Sequence, residues 1–303
     1  MSQRTIAEKV SCTGVGLHSG EPVQVTLQPA RPGSGIVFVR TDLGHPVEIP
    51  ARSGFVVSTQ MATSLGRGDA TVGTVEHLLA AVYSLGIDNL RIEVEGPEVP
   101  VMDGSAAPFV FLLRSAGLYS QRVPGRRLRI RKPLEVRDGE RWIRIEPARR
   151  LEVSYSVDYA HPAIARQRLP RFVVDGHCFE AELARARTFG FLQDVEALWR
   201  AGLARGGSLE NTVVLDERKV LNPEGLRWPD EFVRHKVLDL LGDVALVGMP
   251  VAGHIRAQRG GHALHQNLVQ AIVGNPGAWV IEGLPAPARE TIEGLGVQLP
   301  APA

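Results

Sequence analysis

One amphipathic stretch carries most of the structural information in this chain: His235-Lys236-Val237-Leu238-Asp239-Leu240-Leu241-Gly242-Asp243. Apolar residues recur within and around it at spacings of three and four, without an intervening proline, which predicts a helix with one apolar side. These residues are Phe232, Val233, Val237, Leu240, Leu241 and Val244. On such a helix His235, Asp239 and Asp243 lie at i, i+4 and i+8 and project from nearly the same face.

An imidazole and a carboxylate one helical turn apart can bind a single divalent cation. His235 and Asp239 offer nitrogen and oxygen ligands, which suit zinc. A catalytic zinc site uses three protein ligands and a water, so a third ligand must come from elsewhere in the chain. Taken alone, a histidine and an aspartate at this spacing are more often a solvated pair on a helix surface.

The composition limits the class of protein. A chain of 303 residues is long enough for two domains, and its 34 basic residues against 33 acidic ones indicate no general affinity for nucleic acid. Cys12 and Cys178 are too few for a disulfide framework or a thiolate zinc site, which fits a reducing compartment and leaves histidine and carboxylate as metal ligands. The amino-terminal residues lack the apolar core of a signal peptide, and the sequence contains no apolar run long enough to span a membrane. We expect a cytoplasmic protein.

The first half of the sequence combines short strands with two helices. Strands are predicted at 23–27, 36–39, 47–49 and 90–94, where β-branched or alternating residues are separated by turns rich in Gly, Pro and Asp. A helix is predicted between Thr74, as N-cap, and Gly86, as stop, and a second one at about 106–116. Glu76 and His77 fall in the first turn of the first helix.

The second half repeats this order of elements. The sequence predicts strands within 128–157, a helix near 176–187, an apolar insert, the helix of His235, a strand at 251–257 and a closing helix at about 263–273. Basic residues outnumber acidic ones between 122 and 150, but they alternate with apolar residues and no aromatic series accompanies them. This pattern favours the wet face of a sheet over a nucleic-acid surface.

Pro124-Gly125 is the predicted domain boundary. We expect an α+β protein of two related domains, residues 1–124 and 125–303, each with helices packed on a mainly antiparallel sheet. The candidate metal residues are divided between the two halves, so the active site is expected at their interface.

Glu76-His77 is the natural partner of His235 and Asp239. A glutamate beside a ligand histidine can act as a base toward metal-activated water, although a surface pair at the start of a helix is the commoner situation. A further acid or base candidate is His262, which follows two glycines at a helix start, with Asp243 as a group that would fix its tautomer and raise its pKa. His265, three residues further on, fits a surface position equally well.

Six strings, in this order along the chain, resemble the UDP-3-O-acyl-N-acetylglucosamine deacetylases, the zinc amidases of lipid A biosynthesis. They are Gly14-Val15-Gly16-Leu17-His18-Ser19-Gly20, Thr74-Val75-Glu76-His77-Leu78, Pro100-Val101-Met102-Asp103-Gly104-Ser105-Ala106-Ala107-Pro108, Ala186-Arg187-Thr188-Phe189-Gly190-Phe191, Asp230-Glu231-Phe232-Val233-Arg234-His235-Lys236 and Gly261-His262-Ala263-Leu264. The resemblance extends from residue 4 to about residue 275, which is most of the chain.

The resemblance implies a role for each matching residue. His77, His235 and Asp239 would bind Zn²⁺, and Glu76 would be the general base. His262, with Asp243 behind it, would be the general acid or oxyanion stabiliser, and Thr188 would help to bind the oxyanion. The residues implied in substrate binding are Phe189 and Lys236 near the sugar and Asp194 and Arg259 at the nucleotide end. Arg259 stands where we expect lysine in this family, and its forked guanidinium binds phosphate differently.

The apolar insert, about 188–215, acquires a function from the resemblance. Leu192, Val195 and Leu198 could line a channel for an acyl chain, although ordinary core packing explains such residues equally well.

The implied activity is hydrolysis of the N-acetyl group of UDP-3-O-acyl-N-acetylglucosamine by a monomeric enzyme, with a small-molecule substrate and no nucleic-acid partner. Two alternatives remain: a zinc amidase for another N-acylated metabolite, and a metal-stabilised sugar-nucleotide-binding protein without turnover.

Overall fold

The computed structural model describes residues 2–283 of the chain. Within this range the chain forms six α-helices and nineteen strands, and most of the strand pairs are antiparallel. The prediction of an α+β fold is confirmed. None of the helices between residues 2 and 283 is long and apolar enough to cross a bilayer.

The first half of the chain contributes ten strands. They are β1 Ser2–Ile6, β2 Val10–Val15, β3 Pro22–Pro29, β4 Ile36–Arg40, β5 Val47–Pro50, β6 Val56–Ser58, β7 Ser64–Arg67, β8 Ala70–Val72, β9 Leu90–Glu95 and β10 Leu118–Pro124. A five-stranded sheet has the order β2-β3-β9-β4-β5, in which only β4 and β9 are parallel, and β6, β7 and β8 form a small antiparallel sheet. The four strands predicted in this half all fall within observed strands.

The second half contributes nine strands. They are β11 Arg127–Ile130, β12 Leu134–Asp138, β13 Arg141–Glu146, β14 Leu151–Asp158, β15 Arg166–Val173, β16 Phe189–Phe191, β17 Val213–Leu215, β18 Val251–Gln258 and β19 Trp279–Glu282. Seven of them form one sheet around β18, which pairs antiparallel with β13 and parallel with β11 and β14. The remaining two, β16 and β17, form a parallel pair.

Six helices accompany these strands. They are α1 Glu76–Ser84, α2 Ala107–Ser115, α3 Gly176–Glu182, α4 Val195–Arg200, α5 Glu231–Val244 and α6 His262–Gly274. Helices α5 and α6 pack on the larger sheet and on each other, and α1 packs along α5. Helix α5 is therefore covered on several sides, and its polar residues His235, Asp239 and Asp243 are buried together with its apolar stripe.

Three predicted helix boundaries differ from the structure. Thr74 does not cap α1, because its backbone is left-handed (φ 53°) and Val75 occupies the N-cap position. Helix α3 ends at Glu182, five residues before the predicted end, because the following segment turns inward and buries Arg187. His262 is the first residue of α6 rather than part of the glycine turn before it, and Gly261 is the N-cap.

A buried ion pair holds the segment that follows α3. The side chain of Arg187 is one of the largest that is fully buried, and its Nε donates to Glu231 Oε1 at 2.9 Å. The backbone N–H of Arg187 donates to the same oxygen at 3.0 Å. Glu231 is the first residue of α5, so this ion pair links the chain just before Thr188 to the start of the helix that carries His235.

The close approach of α1 and α5 depends on Gly242. A Cβ at this position would lie 2.0 Å from the backbone oxygen of Glu76, well inside van der Waals contact. Because α1 carries His77 and α5 carries His235 and Asp239, this glycine sets the distance between the two groups of candidate metal ligands.

We expect Gly242→Ala to lower the free energy of unfolding by at least about 2 kcal/mol. Alanine is the better helix former by up to about 1 kcal/mol, but a Cβ 2.0 Å from a backbone atom puts the overpacking cost at or above the upper end of the usual range of about 1–3 kcal/mol, so the net loss is about 2 kcal/mol or more. Denaturant unfolding of the metal-loaded protein measures this difference. Gly274→Ala is the matched control, because a Cβ at that helix position meets no atom within 4 Å. Equal free energies of unfolding of the two variants would show that the packing of α1 on α5 does not depend on Gly242.

Candidate active site and metal centre

Two histidines and an aspartate meet where α1 packs on α5. Asp239 Oδ1 lies 3.2 Å from His235 Nε2 and 3.6 Å from His77 Nε2, and one ligand atom of each residue lies within 4.8 Å of the others. Asp239 Oδ1 is buried without a hydrogen-bond partner among the described residues. His235 Nδ1 lies 3.0 Å from the backbone oxygen of Ala186 and donates to it, which leaves the Nε2 lone pair directed at the cluster. The donor set and the unpaired oxygen fit a divalent cation.

The protonation states also suit metal binding. Burial lowers the pKa of His235 to about 3, so its imidazole is neutral. Burial alone would raise the pKa of Asp239, but the Lys236 ammonium, whose Nζ lies 2.9 Å from Oδ2, holds it well below its usual range. Metal ligands must be deprotonated, and His235 and Asp239 satisfy this requirement without further reorganisation.

Glu76 lies beside the metal cluster without belonging to it. Its side chain is buried, and Oε2 accepts the backbone N–H of Thr63 at 3.1 Å. Its other oxygen, Oε1, is 3.8 Å from His262 Nε2. Burial raises the pKa of Glu76, which brings this carboxylate toward the range in which a general base works best.

His262 and Asp243 form a buried pair on the other side of Glu76. His262 Nδ1 lies 2.8 Å from Asp243 Oδ2, and Thr63 Oγ1 donates to Asp243 Oδ1 at 2.6 Å. Burial would lower the pKa of His262, but the ionised Asp243 outweighs burial and raises this pKa to about 9. Burial would raise the pKa of Asp243, and His262 instead lowers it to about 2. At neutral pH the pair is an imidazolium and a carboxylate, with His262 Nε2 toward the metal cluster.

Thr188, Phe189 and Lys236 lie at the edge of the same site. The backbone N–H of Thr188 donates to Gly104 O at 2.8 Å, and its carbonyl accepts from Val213 at the start of β17. Lys236 Nζ lies 5.4 Å from the centre of the Phe189 ring, within the range of a cation–π contact. All three predicted residues line the cavity described next.

A cavity of about 990 Å³ joins the metal cluster to the apolar insert. The insert contains β16, a short 3-10 helix, α4 and β17, and its residues Leu192, Asp194, Val195 and Leu198 line the cavity. No side chain of α4 is buried, and Leu192 is 50% exposed. These apolar residues therefore do not form ordinary core, which favours the channel interpretation.

Arg259, predicted at the nucleotide end of the substrate, lies outside this cavity. Its backbone is left-handed (φ 52°), and its Nη1 lies 3.3 Å from Glu140 Oε2 at the surface.

Sequence reasoning missed several residues of the site. Thr63 holds both Glu76 and Asp243, although nothing in its sequence context distinguishes it from a loop threonine. His18 and Tyr159 line the cavity, and the Tyr159 ring stacks edge-on against Phe189 at 5.7 Å. His18 belongs to the first of the six sequence strings that resemble the family, so the resemblance could have singled it out.

A cluster of two histidines and an aspartate, with a carboxylate base and an imidazolium on either side, defines a metal-dependent hydrolase. The apolar insert that forms one wall of its cavity suits an aliphatic part of a substrate.

Comparison with known proteins gives the particular family. The family model described as UDP-3-O-acyl N-acetylglycosamine deacetylase matches residues 3–274, and the chain belongs to this family. A UDP-3-O-acyl-N-acetylglucosamine deacetylase of Myxococcus xanthus (strain DK1622) is 54% identical over 296 residues, which cover 98% of this chain and 93% of the relative. Those of Anaeromyxobacter sp. (strain Fw109-5) and Shewanella violacea are 54% and 48% identical, and each alignment covers 91% of this chain and 90% and 91% of the relative, respectively.

Proposed function

We propose that this protein hydrolyses the N-acetyl group of UDP-3-O-acyl-N-acetylglucosamine to give UDP-3-O-acyl-glucosamine and acetate, the committed step of lipid A biosynthesis. The observation that carries the proposal is one cavity that contains a metal-ligand cluster, a general base and an apolar insert. The names of the relatives support the substrate. Metal analysis combined with an acetate-release assay on this substrate tests it, and a metal-loaded protein that releases no acetate would contradict it.

We assign the metal as zinc, held by His77, His235 and Asp239. Neutral imidazoles and a carboxylate are the ligands that catalytic zinc prefers. When bound, zinc would supply Lewis-acid polarisation of the amide carbonyl and acidify the attacking water.

The protein's own residues supply the proton transfers. Glu76 Oε1 takes a proton from the attacking water, while Thr63 holds Oε2 in place. The developing oxyanion is stabilised by the Nε2–H of protonated His262 and by the Thr188 hydroxyl. As the C–N bond breaks, His262 gives its proton to the leaving nitrogen, and Asp243 keeps the imidazole in the tautomer that can do this.

The insert accounts for recognition of the acyl chain. Leu192, Val195 and Leu198 present apolar surface to the cavity rather than to the core. Each buried methylene contributes about 0.8 kcal/mol, so burial of even a short chain there would dominate substrate affinity. We also assign Asp194 and Lys236 to the polar part of the substrate, because both line the same cavity. Arg259 is a weaker candidate for the nucleotide end, since it lies outside the cavity.

A charge in the channel should act on the long-chain substrate only. We expect Leu198→Glu to lower kcat/KM for the long-acyl substrate far more than for an analogue without the chain, because the carboxylate opposes apolar burial. The measured quantity is the ratio of the two kcat/KM values, on protein shown by thermal melting to be folded. Val273→Glu, at an exposed apolar position of α6, is the matched control. An unchanged ratio in Leu198→Glu would show that Leu198 does not line a channel for the acyl chain.

We also propose that the chain divides into domains at residues 124 and 125, with the active site between them. Within residues 2–283, every sheet pairs strands from the same side of this boundary. Strand β1 pairs with β10, so the two ends of the first half lie side by side. Limited proteolysis that releases a folded fragment ending near residue 124 would support the division.

A further inference from the structure

A buried chain of hydrogen bonds continues behind the His262–Asp243 pair. His265 Nδ1 lies 2.8 Å from Asp243 Oδ2, the same oxygen that His262 Nδ1 contacts. On its other side, His265 Nε2 lies 2.9 Å from the hydroxyl of Tyr155. Both Tyr155, on β14, and His265, on α6, are 0% exposed, so water does not compete for these groups. The sequence allowed a surface position for His265, and the structure excludes it.

The direction of each hydrogen bond follows from the protonation states. An ionised carboxylate only accepts, so Asp243 requires a hydrogen on Nδ1 of both histidines. Burial lowers the pKa of His265, so its ring is neutral and Nε2 is an acceptor. Tyr155, whose pKa burial raises well above its usual value, is the donor to that nitrogen. The phenol therefore fixes the tautomer of His265, and His265 in turn donates to Asp243.

Asp243 consequently receives three donors from two segments of the chain, the loop of Thr63 and the first turn of α6. Thr63 donates to Oδ1, and His262 and His265 donate to Oδ2. With both oxygens held, the carboxylate cannot rotate without breaking a buried hydrogen bond, which costs more than in water. Gly260 leaves room for the hydrogen bond between Tyr155 and His265. A Cβ at Gly260 would lie 2.5 Å from the Tyr155 hydroxyl and 3.2 Å from His265 Nε2.

We propose that His265 is a positioning residue for the deacetylation, which fixes the Asp243 carboxylate and thereby keeps His262 Nε2 directed at the reacting amide. Tyr155 holds the His265 ring in place from the side opposite Asp243. Among residues 2–283, His265 neither lines the substrate cavity nor belongs to the cluster of His77, His235 and Asp239. It reaches His262 through Asp243 and through an edge-on ring contact with the centroids 5.9 Å apart. The inference rests on the proposed function. The two fail differently, because an inactive wild-type protein would refute the function, whereas the inference depends on the pattern among variants.

Two amide substitutions at position 265 separate the contacts. In His265→Asn the amide nitrogen takes the place of Nδ1 and can still donate to Asp243, whereas in His265→Gln the amide reaches the place of Nε2 and Tyr155. We expect kcat to remain near the wild-type value in His265→Asn and to fall by about 10- to 100-fold in His265→Gln and His265→Leu, with KM unchanged. Tyr155→Phe is expected to fall between wild type and His265→Leu.

Proton NMR gives a readout besides activity. The hydrogen bond to the Asp243 carboxylate moves the Nδ1–H resonance of His262 downfield. We expect this signal to persist in His265→Asn and to shift or broaden in His265→Gln. Metal content should equal that of wild type in every variant, since His265 is no ligand in the proposed site.

The matched control is His254→Leu. His254 is half-buried on β18 and contacts Ser154 Oγ at 2.9 Å, away from the site, so its loss should leave kcat unchanged. If the Asn and Gln variants lose kcat equally, or if kcat follows the melting temperature instead of the Asp243 contact, His265 is only a structural residue and the inference is wrong. Should the Gln variant fail to fold, wild-type kcat in Tyr155→Phe together with an unshifted His262 signal would overturn it.

Discussion

Glu76→Gln is expected to lower kcat for deacetylation by about 10²- to 10⁴-fold while the metal stays bound, because glutamine keeps the shape of the side chain but cannot accept the proton of the attacking water. Glu76 does not belong to the ligand cluster, and the amide oxygen of glutamine can still accept the Thr63 N–H, so the local structure should persist. Single-turnover kinetics and metal analysis of the same preparation measure both quantities. Glu76→Ala should give a similar loss, also with metal retained.

The control for Glu76→Gln is Glu98→Gln. Glu98 is equally buried in the same half of the chain, and it accepts the backbone N–H of His18 without lining the cavity. A general effect of neutralising a buried carboxylate would therefore appear in both variants. Near-normal turnover in metal-loaded Glu76→Gln would show that another group is the base.

Most of the fold follows from local patterns in the sequence. The apolar stripes of α1, α5 and α6 and the alternation in the strands are strong periodic signals, and each placed its element within a few residues. The spacing of His235 and Asp239 on α5 is also local, because an i, i+4 pair on a helix must share a face. These features need no knowledge of distant contacts.

The features that the sequence could not provide all depend on distant contacts. Thr63 meets Asp243 across 180 positions of the chain, and Tyr155 meets His265 across 110. Helix propensity alone favours continuing α3 to residue 187, but the buried ion pair between Arg187 and Glu231 draws the chain out of the helix. His265 lies in the first turn of a helix that begins after two glycines, a context typical of exposed residues. Its burial becomes evident only when Tyr155 of β14 and Asp243 of α5 contact its ring in the folded chain.

The family resemblance and the geometry contribute different information about the candidate site. The resemblance named residues one at a time, whereas the structure shows which of them share a cavity. The structure brings Glu76 and His77 from α1, and Thr188 from the residue before β16, to the residues of α5. It leaves Arg259 outside the cavity, paired with Glu140. The residues implied at the chemical centre therefore line one cavity, whereas Arg259 does not line it and its role at the nucleotide end stays a prediction.

Substitution of a metal ligand should have the second large effect, and it should differ in kind from the loss of the base. In His77→Ala, His235→Ala and Asp239→Ala we expect both metal content and activity to fall, because a site with three protein ligands has little redundancy. Even partners that only orient a ligand contribute about 10- to 100-fold to metal affinity or activity, so loss of a ligand itself should weaken binding by more than that. Competition with a chromogenic chelator measures the affinity. Asp243→Asn is the matched control, since Asp243 is as buried as Asp239 and lies one turn further along α5, but its hydrogen bonds within residues 2–283 go to Thr63 and two histidines outside the ligand cluster. It should keep its metal and lose kcat. Full metal occupancy in all three alanine variants would mean that the cation binds elsewhere, and the unpaired Asp239 oxygen would then need a different partner.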